Sequence, residues 1–298
     1  MNFFKELSKT IDKHNRKIVS VACAQDEDVM QAVEAARKNG YIDAILVGDS
    51  EKIEEIGKKH DIPLSEYSVI DVKDMREAAR KAVELVSSKK AHVVMKGLVD
   101  TSIVLKAVLD HEIGLRIPGN LLSHVGIFHV DGHKRPYIVT DAAMNIAPTL
   151  EDKKKIIDNA VRVAHKLGIE IPKVACLCAK EKVSEKMPAT VEAAELQAMN
   201  ERGEIKGCLV AGPLALDNAI DVEAAELKGI HHPVAGHADI LLAPDIEAGN
   251  ILYKSLTYFS KSESAGMIVG ASAPIVLTSR ADSESTKLNS ILLALAAV

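Results

Sequence analysis

Short runs of β-branched and apolar residues recur along the whole chain, with helical periodicity filling the intervals, and this alternation constrains the fold more than any other feature. The runs are IVSVA from Ile18, AILVG from Ala44, HVVM from His92, YIVT from Tyr137, KVACLC from Lys173, CLVAG from Cys208, DILLA from Asp239, MIVG from Met267 and PIVL from Pro274. Strands with one wet face alternate polar and apolar residues. Unbroken apolar strands instead belong to sheets covered on both faces, which is the pattern of parallel α/β folds.

The intervening helices are legible from their stripes. Met75, Ala78, Ala79, Ala82, Val83 and Val86 share one face, as do Ile156, Ile157, Ala160, Val161, Ala164 and Leu167. Asp26 is placed to cap a helix ending at Gly40. Thr149 with Asp152 has the spacing of a capping box, and Gly168 and Gly203 stand where helices stop. A chain of 298 residues that is 47% hydrophobic has ample material for a large core. No Pro/Gly/Ser-rich linker interrupts it, although Gly114 to His124 and Ser260 to Gly266 look irregular.

Composition removes several functions. Asp and Glu (42) outnumber Lys and Arg (37) and aromatics are 3%, so the basic face and stacking platforms of a nucleic-acid binder are not expected. No apolar run approaches the about 18 residues of a spanning helix, and the start MNFFKELSKTIDKHNRK has no signal-peptide core, so a cytoplasmic protein is expected. Cys23, Cys176, Cys178 and Cys208 form no CxxC pair and read as reduced packing residues. His231, His232 and His237 cluster in sequence, as do His124, His129 and His133, but neither group has the spacing of HExxH or a zinc finger, so no metal site is expected.

Three segments can carry chemistry. Pro274 to Lys287 is a strand running into a polar loop and then an apolar helix, which puts Ser279 and Arg280 beyond a strand's carboxyl end and near a helix N-terminus. Backbone N–H groups and the helix dipole favour an anion there, and a guanidinium fork matches phosphate. Alternatively, Asp282 or Ser283 is simply a helix cap and Arg280 a solvated cation. Lys96 and Gly97 lie at a second strand end: either they face a phosphate or acyl oxygen, or the glycine serves turn geometry before a helix capped by Thr101 or Ser102. Asn250, after a third strand, either caps its helix or meets a ligand carbonyl. There is no Walker A loop, no GxGxxG after a strand and no GxSxG elbow around Ser279.

The chain resembles the phosphate acetyltransferase and phosphate butyryltransferase family over nearly its whole length. The carrying segments are Ala24–Glu27, Met95–Val99, Ser123–Val125, Ile205–Cys208, Gly212–Asp217, Gly236–Asp239, Gly249–Asn250 with Tyr253–Lys254, and Ser272–Ser283. The resemblance implies two α/β domains like those of isocitrate and isopropylmalate dehydrogenases, residues 1–122 plus 275–298 and residues 123–274, with the active site in the cleft between them. It also implies a homo-oligomer and a reversible reaction in which acyl-CoA, such as butyryl-CoA, and inorganic phosphate give acyl phosphate and CoA. No covalent acyl-enzyme, metal or further cofactor is required.

On that resemblance Ser279 meets the reacting carbonyl and Arg280 binds phosphate. Lys96, Gly97, Ser123, Asn145 and Asn250 fall in substrate-binding segments. Acetyl-transferring relatives carry an aspartate seven positions after the serine, where this chain has Thr286, which cannot act as a base. Asp282 and Glu284 are then the nearby carboxylates for the thiol proton, Asp282 being the one assigned, with bound phosphate as a further acceptor. Charge alone offers Arg116 and Arg135 to the 3′-phosphate of CoA. Two rivals remain: a metal- and nicotinamide-dependent hydroxyacid dehydrogenase on a similar fold, and a CoA or acyl-phosphate binding module without turnover.

Overall fold

A computed structural model describes residues 3–279 and 282–298. Its strands are β1 (Lys17–Ala22), β2 (Ile42–Gly48), β3 (Ser68–Asp71), β4 (Val93–Lys96), β5 (Ser123–Val130), β6 (Tyr137–Thr140), β7 (Lys173–Leu177), β8 (Leu209–Leu214), β9 (Ile240–Leu242), β10 (Ser262–Val269) and β11 (Ile275–Val276). All the apolar runs named above form strands. Two further strands, β3 and β5, escape the apolar-run criterion: β3 is mostly exposed, and β5 is interrupted by His124, Gly126 and His129.

The chain divides into two compact units, residues 2–120 with 265–298, and residues 121–264. The first takes in residues 265–274, which the family resemblance puts with the other domain. The physical reason is pairing: Ile268 of β10 lies antiparallel to Ile275 of β11, Ala271 bridges to Arg116, and Ser272 donates its N–H to the Leu115 carbonyl at 2.9 Å.

In the first unit the strand order is β3-β2-β1-β4-β11-β10, parallel from β3 through β11. Val19, Val21, Val93, Val94, Met95, Ile275 and Val276 are wholly buried, as expected of strands covered on both faces. Asp26 caps the helix Glu27–Lys38 by accepting the Val29 N–H at 3.0 Å. The helix Met75–Ser87 is capped by Asp74 and buries Ala78, Ala79, Ala82, Val83 and Val86, whereas Met75 at its start is exposed. The last helix, Glu284–Ala297, buries Ile291, Leu292, Leu293, Ala294 and Leu295.

In the second unit the order is β5-β6-β9-β7-β8, with β5 antiparallel to β6 and the rest parallel. The helix Leu150–Lys166 opens on the expected capping box. Thr149 Oγ1 accepts the Asp152 N–H at 3.2 Å, and the Asp152 carboxylate accepts the Thr149 N–H at 3.0 Å. One apolar cluster of this unit gathers Phe128, Tyr137, Val139, Leu214, Val234 and Leu241. Among the described residues no helix is long and apolar enough to cross a membrane.

Candidate active site

Register brings two of the sequence-selected segments together. Val94 and Met95 of β4 lie beside Ile275 and Val276 of β11, parallel and in step, so Lys96-Gly97 and Leu277-Thr278-Ser279 leave the same edge of the first unit's sheet. That edge is the carboxyl end of parallel strands, where open α/β sheets bind their ligands. β1 reaches the same edge, with Ala22 beside Lys96.

Gly97 is required there by close approach. A Cβ on it would stand 2.2 Å from the Cys23 carbonyl oxygen and 3.0 Å from that of Ala22. Its N–H donates to the Ala22 carbonyl at 2.8 Å, and the Leu98 N–H donates to Cys23 at the same distance. Lys96 is buried, and its Nζ donates to the carbonyls of Gly97 (3.3 Å) and Val99 (3.2 Å). The ammonium therefore helps hold the turn. Cys23, beside this turn, has its thiol pKa pushed up to about 11 by burial and by nearby Asp74, against the opposing charge of Lys96.

Ser279 is exposed, and its turn is closed from both ends. Its N–H donates to Asp282 Oδ2 at 2.7 Å, and the Asp282 N–H returns to the Ser279 carbonyl at 3.1 Å. Ser283 caps the last helix, its Oγ accepting the Thr286 N–H at 3.1 Å. Asp282 thus stands one residue before the cap and is tied to Ser279. The hydroxyl oxygens of Thr286 and Ser283 share a hydrogen bond at 3.0 Å. Arg280 lies outside the described residues. The sequence reading overlooked Lys287, a nearly fully buried cation whose Nζ donates to the Asp282 carbonyl at 2.6 Å. Its signal was available, since a lysine in the first turn of a helix opposes the helix dipole.

The second unit holds the other sequence-selected residues, which fall into two settings. Asn145 and Asn250 converge on the turn after β6. Asn145 Nδ2 donates to Asp141 Oδ2 (2.6 Å) and the Leu122 carbonyl (2.9 Å), and Asn250 Nδ2 donates to the Ala142 carbonyl (3.1 Å). Asn250 does not cap its helix, Ile246–Phe259. Asp245 does, accepting the Ala248 N–H at 2.9 Å. Asp141, which the sequence did not single out, organises the turn by accepting the N–H groups of Ala143 (2.8 Å), Met144 (2.9 Å) and Asn145 (3.3 Å). Gly249 admits this turn, because a Cβ there would stand 2.3 Å from the Asp141 carbonyl oxygen.

Ser123 is wholly buried, with its Oγ accepting from Asn159 Nδ2 at 2.9 Å, and Asn159 also donates to the Leu121 carbonyl. Its hydroxyl is enclosed among protein atoms. Tyr253 packs edge-on against His124 and Phe128, centroids 5.4 and 4.8 Å apart, over Gly126. Arg135 approaches Asp239 at 3.6 Å, and Arg116 is exposed. Among the described residues, no group of three or more His, Cys, Asp or Glu is placed to hold a metal ion.

Comparison with known proteins gives a consistent result. The sequence profile described as phosphate acetyl/butaryl transferase matches residues 2–80 and 72–295. Phosphate butyryltransferase of Clostridium beijerinckii is 53% identical over 291 residues, covering 98% of this chain and 96% of the relative. Phosphate acetyltransferase of Thermotoga maritima is 47% identical, covering 93% and 94%. Among solved structures, a branched-chain phosphotransacylase from Enterococcus faecalis superposes with a TM-score of 0.84 at 36% identity, covering 94% of this chain and 98% of that one. A 4-hydroxythreonine-4-phosphate dehydrogenase from Klebsiella pneumoniae shares the fold, with a TM-score of 0.58 at 13% identity, covering 95% and 100%.

Proposed function

The chain belongs to the phosphate acetyl/butaryl transferase family, acyltransferases that move an acyl group reversibly between CoA and inorganic phosphate, and from that premise we propose that butyryl or a similar short acyl group is its preferred cargo. Similarity to a phosphate butyryltransferase over nearly the full length of both chains supports the four-carbon group. The branched-chain phosphotransacylase supports branched acyl groups of similar size. One methylene in an apolar pocket discriminates by only about 1–3 kcal/mol, so neighbouring chain lengths are accepted at lower rates.

The transfer is direct. A phosphate oxygen attacks the thioester carbonyl, the tetrahedral oxyanion collapses, and CoA leaves as thiolate; in reverse, the thiolate attacks acyl phosphate. Holding both reactants in line supplies much of the rate. The Ser279 hydroxyl donates to the oxygen on which charge develops, and Arg280 holds the phosphate. Asp282 exchanges the thiol proton. Lys96 and Gly97 form the neighbouring wall, and Asn145 and Asn250 fix the turn after β6. Ser123 contributes by holding that unit's buried framework.

The observation that carries this reading is the exposed Ser279, its backbone fixed by Asp282 at the carboxyl edge of β4 and β11 and ahead of the last helix. The enzyme works in the cytoplasm as a homo-oligomer on two water-soluble substrates, with no added cofactor. Direct transfer is tested by mixing labelled CoA with butyryl-CoA in the absence of phosphate. A covalent acyl-enzyme would exchange the label. Direct transfer leaves the two pools separate until phosphate is added.

A further inference from the structure

We propose that Lys287 is a positioning residue for the serine turn, setting the Ser279 hydroxyl through Asp282 without touching either substrate. The inference rests on the reading that Ser279 serves the reaction. Lys287 sits in the first turn of the helix Glu284–Ala297 with 2% of its side chain exposed. A cation there is disfavoured twice, by burial and by the positive end of the helix dipole.

The geometry gives the lysine a different task. Its Nζ donates to the Asp282 carbonyl at 2.6 Å, and Asp282 in turn holds the Ser279 N–H through its carboxylate at 2.7 Å. The outer side of the ammonium faces Asp28, 3.5 Å away on the helix Glu27–Lys38. Asp28 is 60% exposed, so this ion pair is partly screened, and the short, part-buried bond to the carbonyl is the firmer tie. Lys287 therefore pins the turn from inside the first unit, while Ser283 caps the helix independently.

A small displacement of a reacting group can cost about a hundredfold in rate. Lys287→Met keeps most of the packed stem and removes the donor. We expect kcat to fall about 10- to 100-fold with KM for butyryl-CoA within about twofold, and Lys287→Arg to recover much of the loss. Full kcat in a folded Lys287→Met protein, whatever its melting temperature, would overturn the proposal, since a purely structural lysine changes stability and leaves turnover intact. Should Lys287→Met not fold, Lys287→Gln is the second variant. Its shorter side chain keeps a polar head but draws the donor back from the Asp282 carbonyl, and the expected loss is about 10-fold in kcat; full kcat would again overturn the proposal. Ser279→Ala is measured alongside. Wild-type turnover in that variant defeats the site reading itself, whereas an impaired Ser279→Ala beside a fully active Lys287→Met defeats only the role of Lys287.

Discussion

The backbone N–H of Ser279 and the carboxylate of Asp282 are joined at 2.7 Å, so the aspartate that the sequence offers for proton transfer also closes the turn carrying the serine. Asp282→Asn separates these roles, because its amide oxygen still accepts the Ser279 N–H but no longer takes a proton. If Asp282 exchanges the thiol proton, the asparagine variant loses most of its turnover. Turnover near wild type would assign the proton to bound phosphate and leave Asp282 with the turn alone. Asp282→Ala removes both roles and should be the poorer enzyme.

Ser279→Ala deletes one donor to the developing oxyanion. Such deletions cost about 2.7–4 kcal/mol in the barrier, or about 10²–10³ in kcat. Ser279 is exposed, so the melting temperature should hardly move. Steady-state kinetics with butyryl-CoA and phosphate read the first effect and thermal unfolding the second. A large stability loss with intact turnover would contradict the assignment.

Gly97 has no room for a methyl group, because the clash is with the backbone carbonyl of Cys23 at 2.2 Å and not with a movable side chain. Gly97→Ala must push the turns after β1 and β4 apart and should cost about 1–3 kcal/mol of stability. Urea unfolding checks this. An unchanged midpoint would mean that the two turns yield freely.

Stability in acid should depend on Glu34. Burial raises its pKa, but hydrogen bonds from Arg37 (2.8 and 3.0 Å) and Tyr67 (2.5 Å) outweigh burial, so the folded-state pKa lies below the usual carboxylate value. A depressed folded pKa stabilises the protein above the unfolded value of about 4.3, and that stabilisation is lost as pH falls through the lower folded value. Wild type should therefore exceed Glu34→Gln in stability at pH 7, by about 1–3 kcal/mol for charged hydrogen bonds. The gap should narrow below about pH 4.3. A gap that stays constant to pH 3 would contradict this.

Much of the framework could be read from the sequence because buried parallel strands need uninterrupted apolar residues and helix caps need particular side chains. Asp26 and the Thr149–Asp152 box act where local chemistry puts them. β5 was missed because Gly126 interrupts its apolar run, and the structure gives that glycine a tertiary reason, the Tyr253 ring whose Cε2 would lie 2.7 Å from a Cβ there. β10 also resists local reading: its apolar run MIVG resembles that of a parallel strand, yet it pairs antiparallel with β11.

At the site, the Pro274–Lys287 segment was legible as a strand, a turn and a helix, and so were the residue types phosphate chemistry needs. Which atoms those side chains meet was not. Ser123 bonds Asn159, Asn250 bonds Ala142, and Lys96 bonds carbonyls of its own turn. The first two partners lie far along the chain and are brought close only by folding. Asp141 was overlooked although its role is local: its carboxylate accepts the N–H groups of Ala143 and Met144, two and three residues on, as an Asx turn does.

The central claim is phosphate-dependent acyl transfer with a four-carbon preference. It is tested most directly by following CoA thiol release from acetyl-, propionyl-, butyryl- and isobutyryl-CoA, with and without phosphate and in the presence of a chelator. The account predicts release only with phosphate, fastest for the butyryl or isobutyryl thioester and insensitive to the chelator. Absence of phosphate-dependent release from all four thioesters would contradict it.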